Sequence, residues 1–300
     1  AEQYNPIEKH HHSTVKYVAQ LCERLNVENV ILSHTIDNDL INRKRVFIED
    51  AQKYYNGKVF VPDDFEKIDL VWNGGMRLKM EKCKIKNLYN LDETIAKELL
   101  EKFEYPWEAL PEISKFILEI GPKLDNKIYE LKGENIWIAK SANVYPSAYI
   151  KGPVIIGENA EVRHCAFIRG NAIVGNNAVV GNSTELKNVI LFNNVQVPHY
   201  NYVGDSILGY KAHMGAGSIT SNVKSDKKLV IVKDKEEKIE TGLKKFGAMI
   251  GDCVEVGCGS VLNPGSVIGK NTNIYPLSSV RGVVAENSIY KNKNEIIIKK

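Results

Sequence analysis

The sequence has no apolar run near the ~18 residues that a membrane-spanning helix needs, and its first residues show no cationic stretch followed by an apolar one. Its five cysteines are scattered and form no CxxC pair, which indicates reduced thiols rather than a disulfide scaffold. The formal net charge is only +3, so the chain has no strong field for nucleic acid. These absences predict a cytoplasmic protein that binds neither a membrane nor nucleic acid.

The sequence contains a six-residue repeat of aliphatic side chains. Aliphatic residues recur at this interval from the middle of the chain onward: Ile138, Val144, Ile150, Ile156, Val162, Ile168, Val174, Val180 and Leu186. After one five-residue step the period continues at Leu191, Val197 and Val203, and it returns as Ile250, Val256, Leu262, Ile268, Ile274 and Val280. Small residues and asparagine fill the intervals, as in IVGNNAVVGN.

This period fits neither an α-helix, at about 3.6 residues per turn, nor a flat strand, at about 2, but it fits a triangular coil with six-residue sides. Each aliphatic side chain would point inward, while Gly and Asn would tolerate left-handed backbone at the corners. We therefore predict a mainly β fold, a left-handed parallel β-helix of the hexapeptide-repeat kind over residues 133–290. A turn-rich β-sandwich would space its turns irregularly. The long flat faces of such a coil favour a homotrimer with ligand clefts between the prisms.

The six-residue period breaks over residues 222–249, where charged side chains dominate. The segments LVIV and KIET within this stretch predict a β-hairpin. Long inserted loops are often functional, so we predict an active-site or partner-contacting loop, with a solvated charge run as the alternative.

Residues 76–132 form a second region, which we predict to be helical and to pack on the coil. Apolar residues at helical spacing predict one helix capped by Asp92 and reaching Phe103, and another over residues 113–120 that ends at Gly121. Their apolar stripe indicates packing rather than a cofactor site.

Residues 1–72 alternate helical and strand patterns, which predicts an α/β segment. The stretches HHST at 11–14, SHT at 33–35 and VPDDFEKIDL at 61–70 resemble the C-terminal end of a metallo-β-lactamase-fold hydrolase of the ribonuclease Z type. The resemblance implies proton transfer by His12 and zinc binding by His34. Because the family's HxHxDH motif is absent and two histidines fall short of a catalytic zinc set, we interpret both as remnants in an incomplete module that holds no metal.

Cationic and aromatic side chains concentrate within one part of the coil. Arg169, Lys187 and Lys228 would fall around neighbouring coils, as charge-assisted binding of a phosphate requires. His199, with Tyr202 three residues on, offers an imidazole that can take a proton near neutral pH. A hydrogen-bonded surface histidine is the alternative interpretation.

The stretches HYNYVGD and GAGSITSN, within residues 168–284, resemble the acetyltransferase domain of the bifunctional glucosamine-1-phosphate acetyltransferase and N-acetylglucosamine-1-phosphate uridyltransferase family. The resemblance implies acetyl-CoA-dependent N-acetylation of an amino-sugar phosphate, in UDP-N-acetylglucosamine and cell-envelope precursor biosynthesis, without a metal. It makes His199 the general base and places acetyl-CoA at Ala216, beside Gly215. It also implies a set of residues that bind the sugar phosphate: Arg169, Lys187, Tyr202, Asn222 and Lys228.

Two departures leave the identity of the sugar open, because His213 and Val223 stand where the family usually has Asn and Tyr. The inserted loop and the final repeats resemble the β-helix tails of sugar-1-phosphate nucleotidyltransferases. A non-catalytic coil that oligomerises or binds a sugar nucleotide is therefore the alternative. No Gly-rich nucleotidyltransferase motif occurs, so uridyl transfer is not predicted. A carbonic anhydrase of this fold needs two histidines five residues apart, a pair that His164, His199 and His213 do not provide.

Overall fold

A computed structural model describes residues 14–25, 27, 29–32, 42–63, 80–234, 237–292 and 295–299. The chain divides into two compact units, Ala1–Arg77 and Leu78–Lys300. Among the described residues, no helix is both long and apolar enough to cross a bilayer.

The first unit contains helix α1 (Val15–Arg24), strand β1 (Asn29–Ile31), helix α2 (Arg43–Gln52) and strand β2 (Lys58–Phe60). The Thr14 side chain accepts a hydrogen bond from the backbone N–H of Tyr17 and so caps α1. The two strands pair in parallel. Within the described residues, this order confirms the predicted alternation of helices and strands. His12 and His34 lie outside the described residues, so their relation to a hydrolase motif stays a prediction.

Short helices precede the coil in the second unit. They are α3 (Ile85–Leu88), α4 (Lys97–Leu100) and α5 (Ile113–Ile120), with 3₁₀ turns at Glu81–Cys83, Leu91–Glu93, Pro106–Glu112 and Gly121–Lys123. The prediction for α5 is confirmed. The predicted helix that begins after Asp92 and reaches Phe103 is wrong. Asn90 rather than Asp92 is the capping residue here, and it caps a 3₁₀ turn. The Thr94 hydroxyl then accepts a hydrogen bond from the N–H of Ala96. Such local side-chain bonds compete with helix formation and leave α4 only one turn long.

The apolar side chains of this helical region pack against the coil, as predicted. Trp107 is only 1% exposed and stacks on the rings of Tyr105 and Phe246, with ring centroids 4.7 Å and 5.6 Å away. The Tyr89 ring contacts the Phe192 ring in a tilted arrangement, with centroids 5.1 Å apart. These helices therefore share one core with the coil.

The remaining strands follow in chain order: β3 (Tyr129–Gly133), β4 (Ile136–Ala139), β5 (Asn143–Val144), β6 (Tyr149–Ile150), β7 (Val154–Ile156), β8 (Glu161–Val162), β9 (Phe167–Ile168), β10 (Ala172–Val174), β11 (Val179–Asn182), β12 (Glu185–Leu191), β13 (Gln196–His199), β14 (Tyr202–Leu208), β15 (His213–Met214), β16 (Ile219–Thr220), β17 (Ile231–Asp234), β18 (Glu237–Glu240), β19 (Ala248–Ile250), β20 (Glu255–Val256), β21 (Val261–Leu262), β22 (Ser266–Ile268), β23 (Asn273–Ile274), β24 (Ser279–Val280), β25 (Val283–Val284), β26 (Ser288–Asn292) and β27 (Glu295–Ile298).

These strands form a left-handed parallel β-helix whose sides we name faces A, B and C. Face A holds β4, β7, β10, the second halves of β12 and β14, β19, β22 and β25. Face B holds β5, β8, β11, β13, β15, β20, β23 and β26. Face C holds β6, β9, the first halves of β12 and β14, β16, β21 and β24. The antiparallel strands β3 and β27 pair with the first strand of face A and the last of face B.

The six-residue period marks the inward positions, which confirms the predicted coil. Of the named aliphatic residues only Val144 and Ile150, near its start, are half-buried, and the others are buried. Many corners have asparagine at positive φ, such as Asn177 (φ 56°) and Asn194 (φ 60°), because its short polar side chain tolerates this conformation. Tyr200 also occupies a corner with positive φ (51°), where the sequence predicts Gly or Asn.

The inserted stretch leaves face C after β16 and rejoins face A at β19. Strands β17 and β18 form the predicted antiparallel hairpin. Its side chains Val230, Val232 and Ile239 are buried, as is Phe246 beyond it, so a solvated charge run is excluded. Its position is fixed by apolar packing on the coil.

Candidate active site on the coil

Three of the predicted sugar-phosphate residues lie on the outer side of face C. Arg169 follows β9, Lys187 belongs to β12 and Tyr202 begins β14. Consecutive side chains of a strand point to opposite sides, and the intervening inward residues are buried: Ile168, Leu186 and Val203. Because Glu185 pairs with Tyr202 and Lys187 with Gly204, neighbouring coils bring these outward side chains side by side.

Asp205, a residue that the sequence did not single out, joins several of them. Asp205 is 5% exposed, and its carboxylate accepts hydrogen bonds from Lys187 Nζ (3.2 Å), Asn188 Nδ2 (3.0 Å) and Asn222 Nδ2 (2.5 Å). Asn222 Nδ2 also lies 3.1 Å from the Tyr202 hydroxyl. Lys187, Tyr202 and Asn222 therefore belong to one hydrogen-bond network, and Asp205 fixes the orientation of the lysine and the amide.

Arg169 has its own carboxylate partner. Its guanidinium donates to Glu185 Oε1 at 2.8 Å and lies over the Phe167 ring. Glu185 was also missed, although ELK places it two residues before Lys187 on the same side of the strand. Two predicted phosphate ligands are thus paired with carboxylates, which orders them for a dianion that would have to share or displace these partners.

Lys228 is not brought into this network. It lies in the inserted stretch, where its backbone N–H donates to Asp226 Oδ1 at 3.0 Å. Within the described residues, no hydrogen bond or ion pair joins its ammonium group to Asp205 or Glu185, the carboxylates that hold Lys187 and Arg169.

His199 ends β13 on face B, one corner away from the network on face C. Its backbone N–H donates to Asn201 Oδ1 at 3.1 Å, and its carbonyl accepts from the N–H of Gly217 one coil further on. The turn at Tyr200 then leads the chain to Tyr202. The imidazole is exposed, and no bond in the described part of the chain joins it to Arg169, Lys187 or Lys228. The coil thus places the histidine and the cations on either side of one corner.

Known proteins with similar sequences match the part of the chain that forms the coil. The family model of the GMPPB C-terminal domain matches residues 150–236. A bifunctional protein GlmU from Methanococcus maripaludis is 36% identical over 201 residues, which cover 65% of this chain and 48% of that protein. A bifunctional sugar-1-phosphate nucleotidylyltransferase/acetyltransferase from Sulfurisphaera tokodaii is 34% identical, over 62% of this chain and 47% of that protein.

The coil is similar to the acetyltransferase region of GlmU proteins. The chain spans about half the length of the curated relatives it matches. A solved hexapeptide transferase family protein from Anaplasma phagocytophilum aligns with 54% of this chain and 78% of that chain at 18% identity, with a TM-score of 0.36. That superposition is too loose to bear on function.

His213, one of the two departures from the GlmU-like pattern, has a carboxylate partner. Its Nδ1 lies 2.7 Å from Glu255 Oε2, in the next coil of face B. The pair lines a shallow polar groove together with Asn194, Gln196 and Lys211. The ring is therefore oriented by Glu255.

No group of three or more His, Cys, Asp or Glu side chains among the described residues is arranged to hold a metal ion. His164, one of the three coil histidines, packs its ring against Tyr145 at 4.4 Å. The three coil histidines therefore form no metal-ligand group within the described part of one chain.

The Tyr202 hydroxyl resists ionisation, because partial burial and the carboxylates of Asp205 and Glu185 raise its pKa above the usual value of 10.0. The folded chain therefore keeps this proton at pH values where the unfolded chain has lost it, so stability falls as pH rises through 10. We expect Tyr202→Phe to make this loss less steep. Urea unfolding of both proteins between about pH 9 and 11 measures it, and equal slopes would contradict the assignment.

Proposed function

We propose that the coil is an acetyl-CoA-dependent N-acetyltransferase that acts on an amino-sugar 1-phosphate, in the formation of UDP-N-acetylglucosamine and related cell-envelope precursors. The network that joins Lys187, Tyr202 and Asn222 through Asp205, one corner from His199, carries the proposal. Cytoplasmic location, a homotrimer and independence of metal belong to the same proposal. Similarity to GlmU proteins supports it.

The proposed reaction is a direct acyl transfer. The imidazole of His199 takes a proton from the sugar amine as the nitrogen attacks the thioester carbonyl carbon. The C–N bond forms, the C–S bond breaks, and the proton held by His199 can pass to the departing CoA thiolate. No covalent intermediate on the enzyme is needed.

Ala216 is the best donor for the oxyanion that develops in this step. The N–H groups of its neighbours Gly215 and Gly217 already donate to the carbonyls of Val256 and His199. Among the described residues, the N–H of Ala216 makes no such backbone bond. A pre-oriented N–H that is not otherwise used can stabilise the tetrahedral oxyanion.

An acceptor panel tests the activity. The full chain is incubated with acetyl-CoA and glucosamine 1-phosphate, galactosamine 1-phosphate, glucosamine 6-phosphate or free glucosamine, and the released CoA thiol is measured. We expect turnover with at least one 1-phosphate and little with the free sugar, because the cations on face C would orient the phosphate. Release of no CoA with any acceptor would contradict the proposal.

Lys187→Met tests the phosphate site. A charge-assisted hydrogen bond contributes about 1.5–3 kcal/mol, so we expect KM for the amino-sugar phosphate to rise about tenfold to a hundredfold. Lys151→Met is the matched control, because Lys151 is exposed and lies next to Arg169 on the far side from Lys187. Equal KM values for the two variants would remove Lys187 from the site.

The alternative is a non-catalytic coil that binds a sugar nucleotide. Two observations support this alternative. The coil matches the GMPPB C-terminal domain, and both Arg169 and Lys187 are already paired with carboxylates. Isothermal calorimetry with CoA and with UDP-N-acetylglucosamine separates the two functions. Binding of the nucleotide without binding of CoA would favour the alternative.

A further inference from the structure

A column of buried polar side chains runs inside the corner between faces B and C. One member follows the left-handed corner in each of several successive coils: Thr184, Asn201, Ser218, Ser260 and Ser278. All except one are hydroxyl residues. The single amide, Asn201, lies in the coil that contains His199.

Asn201 is only 2% exposed, and its side chain makes bonds that a hydroxyl could not make together. Its Oδ1 accepts from the N–H of His199 at 3.1 Å. Its Nδ2 donates to the carbonyls of Gly215 (2.9 Å) and Ser218 (3.0 Å), one coil further on. A serine or threonine has one proton to donate, whereas an amide has two and keeps an acceptor.

We propose that Asn201 is a positioning residue that holds the backbone of His199 at a fixed distance from the Gly215–Ala216 turn. This inference rests on the proposed function, in which His199 is the base and Ala216 donates to the oxyanion. His199 and Ala216 lie on neighbouring coils, and the Asn201 side chain hydrogen-bonds to the backbone of both coils. A misplacement of about 1 Å can cost about a hundredfold in rate, so such a link affects kcat more than it affects binding.

Asn201→Ser is the informative variant, because the same column takes serine at 218, 260 and 278 and the coil should therefore fold. Ser260→Ala is the matched control, since it removes a buried hydroxyl that bonds to the Tyr275 carbonyl in the same column. We expect Asn201→Ser to lower kcat at least about tenfold, with KM for the amino-sugar phosphate changed less than about twofold. Ser260→Ala should keep the kcat of the natural sequence.

The hydrogen-exchange rate of the His199 backbone N–H can be measured without any catalytic activity. In Asn201→Ser this amide loses its acceptor, so its exchange should be at least about tenfold faster than in Ser260→Ala. Unchanged kcat in Asn201→Ser, or an equal loss in Ser260→Ala, would overturn the inference. If the natural sequence releases no CoA, the proposed function fails. Hydrogen exchange at the His199 amide then decides alone whether Asn201 holds His199. Equal exchange rates in Asn201→Ser and Ser260→Ala would overturn that link.

Discussion

His199→Ala is expected to lower kcat for acetyl transfer by about a hundredfold to ten-thousandfold, which is the range for loss of a general base. The sugar amine would then have to lose its proton to water during the attack. The side chain is exposed and its backbone N–H bond to Asn201 does not depend on the imidazole, so the fold should persist. Single-turnover measurement of acetylation at saturating substrate isolates the chemical step.

His164→Ala is the control for this variant. His164 precedes the corner at Cys165 just as His199 precedes the corner at Tyr200, but its ring packs against Tyr145. It should therefore keep the catalytic rate of the natural sequence. Turnover of His199→Ala equal to that of the control would reject His199 as the base.

Trp107→Ala is expected to lower the free energy of unfolding by about 3–5 kcal/mol, as for other large aromatic side chains removed from a core. The ring stacks on Tyr105 from the helical region and on Phe246 from the inserted stretch. Its removal leaves a cavity where the helices, the insertion and the coil share one core.

Calorimetric unfolding measures this loss. Leu118→Ala on α5 is the control, because Leu118 is 43% exposed and surface substitutions usually change stability by no more than about 0.5 kcal/mol. A loss below about 1 kcal/mol for Trp107→Ala would show that the helical region and the insertion contribute little to the stability of the coil.

The coil could be predicted from the sequence because its geometry repeats. Each inward position sees the same surroundings one coil away, as Val180 does opposite Val197, so one period predicts the inward side chains of the coil. The hairpin in the insertion was predictable for a similar local reason. Its packing was not, because burial of Phe246 depends on Trp107, which is far away in the sequence.

The candidate site was only partly predictable. The cations and the tyrosine could be assigned from motif spacing, but their carboxylate partners could not, because the Lys187–Asp205 pair forms between neighbouring coils. The His213–Glu255 pair was hidden for the same reason, since the insertion separates the two residues in the sequence. The Asp92 cap was wrong because Asp92 lies inside a 3₁₀ turn that Asn90 caps by accepting the N–H of Asp92.

The pairing of cations with carboxylates has a consequence for binding. Lys187 is held by a nearly buried Asp205, so its ammonium group is already oriented before a ligand arrives and loses little entropy on binding. Arg169, held by Glu185, is oriented in the same way. A bound phosphate would therefore meet donors that are already oriented, and it would share or displace their carboxylate partners.

The central claim is that stacked coils bring a base on face B and phosphate ligands on face C to the same substrate. A crystal structure with CoA and the best acceptor of the panel tests it directly. We predict the phosphate at Lys187 and Arg169, and the amine nitrogen about 3 Å from the His199 imidazole, directly or through one water. A sugar phosphate bound elsewhere, or an amine that points away from His199, would contradict the account.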